Sequence, residues 1–303
     1  MKTRSALGYL SVVIYLLSVP QAPAQDLGPH VKKIKEGIFV YAEKTSDPNC
    51  TIILTQDGVV LIDSGNRPPD SLAVMKAVKQ LTSQPIRFLI NTEPHADHTT
   101  GHFVFSPPAI IVAAAGAGDS MRKAYDPERM KKMMAEPGEV GAAAKGYRLI
   151  TPHIEYRDKL MLNVGERAFE LYYLKNVHSE SDSAIWLPRE RVLFTAASIG
   201  VKRFNNLRPF VSIPDTLNGI KMMKALNPEI VIPGHGAPGT LALLNDMERY
   251  YTALLNQVGQ MVKQGKSLDD VKKEVKIPGT EDWEGKDRYP NNIEAAYRAV
   301  KGN

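Results

Sequence analysis

The run Asn91-Thr92-Glu93-Pro94-His95-Ala96-Asp97-His98-Thr99-Thr100-Gly101-His102 decides how the rest of the chain is read. Four side chains able to bind a metal, Glu93, His95, Asp97 and His98, fall within six positions. Directly before them lies the apolar run Ile86 to Ile90, which reads as a buried strand. A strand ending in alternating carboxylates and imidazoles points several donors into one small volume at its C-terminal mouth. Mixed nitrogen and oxygen donors suit zinc, with manganese and iron as poorer candidates.

Upstream, Ile38-Phe39-Val40-Tyr41, Thr51-Ile52-Ile53-Leu54 and Val59-Val60-Leu61-Ile62 read as strands, with Asp57-Gly58 as a turn. Asp63-Ser64-Gly65 closes the third. Pro68-Pro69-Asp70-Ser71 then opens a helix carrying Leu72, Met75, Val78 and Leu81 at helical spacing. Downstream, Thr99 to Phe105 reads as one short helix behind the cluster, and Ala109 to Val112 as another strand. Residues 114–148 are the least regular, broken at Asp126-Pro127-Glu128 and Glu136-Pro137-Gly138. They predict one or two helices, either a flap over the site or a surface insertion, with Met130, Met133 and Met134 packing a helix in preference to lining an adaptable pocket.

Strands return from Ile154 to Phe194, with hairpins around Asn163 to Glu166 and from Ser183 to Phe194. A helix at about 215–226, the strand Ile230-Val231-Ile232, long helical text over roughly 240–264 and a last helix near 291–300 complete the chain. This order fits an α/β (α+β) chain in which two sheets pack together with helices on their outer faces.

Two more histidines follow strands: His178 after Phe169 to Leu174, and His235 after Ile230-Val231-Ile232-Pro233-Gly234. With these in place the chain resembles the metallo-β-lactamase superfamily of zinc hydrolases over about residues 34 to 240. Val60-Leu61-Ile62-Asp63-Ser64-Gly65 is similar to that family's first strand-and-turn motif. Glu93-Pro94-His95-Ala96-Asp97-His98 aligns with its His-x-His-x-Asp-His, His178 with Asp182 and the Trp186 hairpin with its third motif, and Ile232-Pro233-Gly234-His235-Gly236 with its last.

The resemblance implies a four-layer αββα sandwich, the metallo-β-lactamase fold, and two adjacent metal positions. One would be formed by Glu93, His95 and His178, the other by Asp97, His98 and His235. Asp63 would support the metal loop from behind. From its spacing alone, His102, a helical turn beyond His98, either hydrogen-bonds to a ligand or has a structural role. Two departures stand out. Glu93 replaces the usual first histidine. Ala197 stands where many members carry a metal-bridging Asp, and where the β-lactamases carry Cys or Ser; alanine coordinates nothing. The expected cofactor is therefore one or two Zn2+ per chain, two positions of unequal affinity or a single zinc on Asp97, His98 and His235 that leaves Glu93 free as a base.

Residues 1–24 resemble a secretory signal peptide: Lys2 and Arg4, an apolar stretch from Ala6 to Val19, then Ala22-Pro23-Ala24. The stretch is shorter than the roughly 20 residues of a spanning helix. The expectation is export to the periplasm or beyond, no membrane association after cleavage, and one catalytic domain over 25–303. Removal of Lys2 and Arg4 takes the net charge from +5 to +3, a mild excess with no basic block, so no nucleic-acid partner is expected. Cys50 is the only cysteine, which excludes an intrachain disulfide and reads as a buried apolar residue.

The expected chemistry is hydrolysis by metal-activated water, with Asp97 orienting the nucleophile and Asp97 or Glu93 moving protons. Opening a β-lactam or similar cyclic amide or ester is the first reading. A lactonase, esterase or hydrolytic dehalogenase of activated aryl halides is the alternative, and a non-catalytic zinc-binding accessory protein is a third. The partner is a small molecule, with Phe210, Arg203 and Arg208 as substrate-groove residues; a homo-oligomer is left open.

Overall fold

A computed structural model describes residues 27–302 except 43, 45 and 46; the leader expected over 1–24 lies outside the described residues. Seven strands form one sheet in chain order: β1 (Val31–Lys35), β2 (Ile38–Tyr41), β3 (Cys50–Thr55), β4 (Gly58–Ile62), β5 (Ile86–Ile90), β6 (Ile110–Ala114) and β7 (Ile154–Tyr156). The first four pair antiparallel, and β4 through β7 pair parallel. The second sheet uses β8 (Lys159–Val164), β9 (Arg167–Leu174), β10 (Asp182–Leu187), β11 (Val192–Phe194) and β12 (Ile230–Ile232), antiparallel except for the β11–β12 pair.

Period-2 alternation along the buried strands sorts their side chains into layers. Ile53, Val60, Ile62, Ile90 and Val112 of the first sheet meet Phe169, Leu171, Ile185, Leu187, Val192, Phe194 and Ile232 of the second, forming a core between the sheets. Their neighbours Ile52, Val59 and Leu61 face the other way, onto Val74, Ala77 and Val78 of α1 (Pro68–Leu81). On the far side, Ala184, Trp186, Leu193 and Val231 pack against a helical layer. That layer holds α7 (Ile213–Ala225), α8 (Ala242–Lys263), α9 (Leu268–Glu274) and α10 (Tyr289–Lys301). The result is a four-layer αββα sandwich. Cys50 is buried in the α1-side core, as expected of an apolar residue. Among the described residues no helix is long and apolar enough to cross a membrane.

Local differences from the sequence reading have identifiable causes. The helix expected over Thr99 to Phe105 is two separate turns, α2 (Ala96–Thr99) and α3 (His102–Phe105), joined at Gly101. A Cβ on Gly101 would lie 2.1 Å from Ser71 Oγ and 2.4 Å from the Ser64 carbonyl, so only glycine allows this close approach. The irregular region forms three helices rather than one or two: α4 (Ala117–Ala124), α5 (Pro127–Ala135) and α6 (Glu139–Ala144). The two proline breaks separate them, and Met130 packs inward while Met134 is exposed. The short α9 and the polar edge strand β1 carry too little periodic apolar text to be visible in advance.

Candidate metal centre

Three strand ends and one turn converge at the same edge of the two sheets. β5 leaves its sheet at Asn91, whose N–H donates to the Val112 carbonyl, and the chain then runs through Glu93 into α2. His95 precedes the first turn of α2, and Asp97 and His98 lie within it. His178 sits in the loop between β9 and β10. There the buried Asp182 carboxylate accepts the His178 N–H at 2.6 Å and the Ser179 N–H at 2.8 Å, which fixes the loop. The Ser183 N–H donates to the Thr92 carbonyl at 2.7 Å and ties this loop to the β5 exit.

His235 follows β12 on a turn pinned by Asn49, whose Nδ2 donates to the carbonyls of Pro233 and Gly236, both at 2.8 Å. A Cβ on Gly234 would lie 2.6 Å from the Ala197 nitrogen, so the turn can press against residue 197 only with glycine there.

The donors face one another. Glu93 Oε2 lies 2.9 Å from His95 Nδ1 and 3.2 Å from His178 Nε2, while Glu93 Oε1 lies 2.6 Å from His98 Nε2. His98 Nε2 is 3.3 Å from His235 Nε2, and Asp97 Oδ2 is 3.3 Å from His235 Nε2 and 3.9 Å from His98 Nε2. Behind them Asp63 accepts from Thr92 N (2.8 Å) and Thr92 Oγ1 (2.6 Å) and meets His98 Nδ1 at 2.8 Å. A left-handed backbone at Asp63 (φ 58°), one of the few residue types that tolerate it, turns its carboxylate back under the cluster.

This donor set could hold a cation. With His98 Nδ1–H donated to Asp63, the Nε2 lone pair would face a carboxylate oxygen at 2.6 Å. Burial opposes charge on His98, yet Glu93, Asp63 and Asp97 together raise its pKa well above the ordinary value. Glu93 Oε1 and His178 Nδ1 are buried without an aligned hydrogen-bond partner. Burial would raise the Glu93 carboxyl, but the neighbouring histidines, His98 foremost, hold it well below the usual range. His178 is driven down to about 3 by its burial, so its ring stays neutral and its Nε2 lone pair is free to ligate. Two groups, Glu93-His95-His178 and Glu93-His98-His235, each bring three ligand atoms within 4.8 Å of one another. Nitrogen and oxygen donors so arranged suit a divalent transition metal.

All six expected ligands converge, and Asp63 supports His98 from behind. The grouping differs from the expected division in two respects: Glu93 belongs to both donor groups, and Asp97, expected with His98 and His235, is in neither three-donor group although its Oδ2 lies 3.3 Å from His235 Nε2. His102 Nδ1 faces the Ile150 carbonyl at 2.7 Å, the contact of a structural residue, and burial lowers its pKa to about 4.

A cavity of about 380 Å3 opens over the cluster and is lined by Glu93, His95, Asp97, His178, Ala197 and His235. Arg203 and Arg208 line it as expected, with Arg208 Nη1 3.3 Å from the His178 carbonyl. Phe210 does not: it is exposed at the turn before α7, outside the cavity lining. Arg129 and Arg288 also line the cavity and had no signal in the local sequence. Arg129 is delivered by α5, which brings the irregular region to the rim of the site. Arg288 arrives because segment 202–204 pairs with Glu284, through Phe204 N to Glu284 O and Glu284 N to Lys202 O.

A sequence model described as the metallo-beta-lactamase superfamily matches residues 45–235. Among solved structures, the stereoselective inverting sec-alkylsulfatase Pisa1 from Pseudomonas sp. superposes with a TM-score of 0.71 at 18% identity, over 88% of this chain and 49% of that one. A metallo-beta-lactamase from Pontibacter korlensis superposes with a TM-score of 0.60 at 18% identity, over 73% of this chain and 98% of that one. The chain thus spans about half the length of the alkylsulfatase and nearly all of the lactamase. Both likenesses concern the fold.

Proposed function

We infer the activity from one premise: the chain belongs to the metallo-beta-lactamase superfamily, whose members are hydrolases. On that premise it is an exported, zinc-dependent hydrolase that opens the amide or ester bond of a small anionic substrate, a β-lactam being the first candidate. The observation that carries this reading is one cavity lined both by five of the six donors, Glu93, His95, Asp97, His178 and His235, and by four arginines, Arg129, Arg203, Arg208 and Arg288. Guanidinium groups remain charged at any working pH and match carboxylate or sulfate oxygens in geometry. A neutral substrate would leave that charge unused.

Zinc held by the cluster would supply a hydroxide nucleophile at neutral pH and polarise the scissile bond. The protein's own groups do the rest. Burial would raise the Asp97 carboxyl, but the His98 and His235 rings hold it well below the usual carboxylate range. Asp97 is therefore an anion that accepts a hydrogen bond from the attacking water and aims it, rather than a strong base. Asp63, through His98 Nδ1, keeps Nε2 turned toward the cluster. The arginines hold the substrate's anionic group and fix the reacting bond over the donors.

Ala197 favours a second reading. It borders the cavity without offering a polar group where β-lactamases carry one, so a lactone, a carboxylic or sulfate ester, or an activated aryl halide is the other substrate class. A panel on zinc-loaded protein separates the two: nitrocefin, p-nitrophenyl sulfate, an anionic lactone and a neutral ester. Turnover of anionic members over the neutral ester is the expected result, and no turnover across the panel overturns the proposal. The leader-like residues 1–24 support export; cleavage after Ala24 in secreted protein tests it.

A further inference from the structure

Glu93 stands between the two histidine pairs, not to one side of them. One carboxylate oxygen, Oε2, addresses His95 and His178, and the other, Oε1, addresses His98. The two donor groups share Glu93 and no other side chain. Its carboxylate is 1% exposed, and Oε1 has no aligned hydrogen bond to hold it elsewhere. Ala197, which stands where the resemblance places a bridging carboxylate, lines the same cavity and ends at a methyl group.

Two divalent cations a few ångströms apart repel strongly in a buried site, and a shared anion offsets that repulsion. We propose that Glu93 is the bridging carboxylate of a two-ion centre, one oxygen to each ion, and that it replaces the bridge absent at residue 197. A histidine at 93 could serve one ion only, because a single ring nitrogen would face the cluster. Carboxylate at 93 and alanine at 197 are thus complementary: the anion between the two groups comes from the β5 exit, and residue 197 adds none. The ions are then held by Glu93, His95 and His178 on one side and by Glu93, Asp97, His98 and His235 on the other.

The inference rests on the metal-centre reading but not on any substrate. Glu93→Gln is the discriminating variant. Glutamine keeps one carbonyl oxygen, enough for a terminal ligand, but its amide nitrogen cannot complete a bridge. Zinc binding to the full chain is followed by equilibrium dialysis with elemental analysis, beside thermal unfolding of each chelated variant as a check on folding. Wild type is expected to hold two ions per chain. His178→Ala and His235→Ala should each lose one, while Glu93→Gln should weaken both at least tenfold. Glu93→Ala combined with Ala197→Asp should regain the second ion that Glu93→Ala alone loses.

Retention of two ions with unchanged affinity in Glu93→Gln overturns the proposal, as does loss of only the ion that His178→Ala loses, or one ion in wild type. Should the Glu93 variants not fold, electron paramagnetic resonance of wild type loaded with Co2+ decides. A spin-coupled pair supports the bridge, and uncoupled or single ions overturn it. A two-ion centre that turns over no panel substrate would remove the hydrolase reading and leave this one standing.

Discussion

Asp63 Oδ2 lies 2.8 Å from His98 Nδ1, and this contact decides which nitrogen of His98 faces Glu93 and His235. The same carboxylate accepts from the backbone and hydroxyl of Thr92, one residue before Glu93. One buried acid therefore sets both the ring and the strand exit that carry the centre. Replacing it acts on the metal without touching a ligand. Asp63→Ala should weaken zinc binding about 10- to 100-fold and destabilise the fold by roughly 1–3 kcal/mol through the unpaired Thr92 donors. Zinc titration and chemical denaturation measure the two effects separately.

Asp97 is the least buried carboxylate of the cluster, with 38% of its side chain exposed to the cavity. Asp97→Ala should keep the fold and lower kcat on the order of 10²–10⁴-fold. The substrate KM should change little, since the arginines remain. A variant with wild-type kcat on zinc-saturated protein would remove Asp97 from the reaction.

Arg203 and Arg288 flank the cavity from segments 85 residues apart in sequence. Arg203 is cationic in a half-buried place where burial, then the neighbouring Arg288, lowers its pKa, so an anion placed there relieves repulsion. Arg203→Ala and Arg288→Ala should each raise KM for anionic substrates roughly tenfold, about 1.4 kcal/mol of binding. A neutral ester should show no such change, and the effect should shrink at high salt.

His102 gives the protein a pH dependence separate from the reaction. Burial lowers its pKa from 6.5 to about 4. Between those values the unfolded chain binds more protons than the folded one, so this contribution to stability is complete above about pH 6.5 and falls away as pH drops toward 4. At about 1.4 kcal/mol per pH unit of separation the loss approaches roughly 3 kcal/mol. His102→Gln should flatten the acid limb of the stability curve, measured by urea midpoints from pH 7 to pH 4.

The layered fold and most of the centre were legible because they rest on local text. Apolar runs of β-branched residues marked the strands, and each of the groups at 93–98, 178 and 235 followed one. What escaped depended on contacts between distant segments. Arg288 lies by the site because Glu284 pairs with the 202–204 segment, and nothing near residue 288 announces it. Phe210 was misplaced for the converse reason: nearness in sequence to Arg208 does not make it face the same cavity. For His102 the sequence left two roles open, because four-residue spacing implies a shared face only on an unbroken helix, and Gly101 interrupts this one.

In the proposed reaction these converging side chains work through a bound metal ion. The direct test is hydrolysis of the preferred panel substrate before and after chelation, with zinc then restored. Activity should vanish with the metal and return in proportion to zinc bound per chain. Undiminished turnover by protein shown to be free of metal would contradict the account.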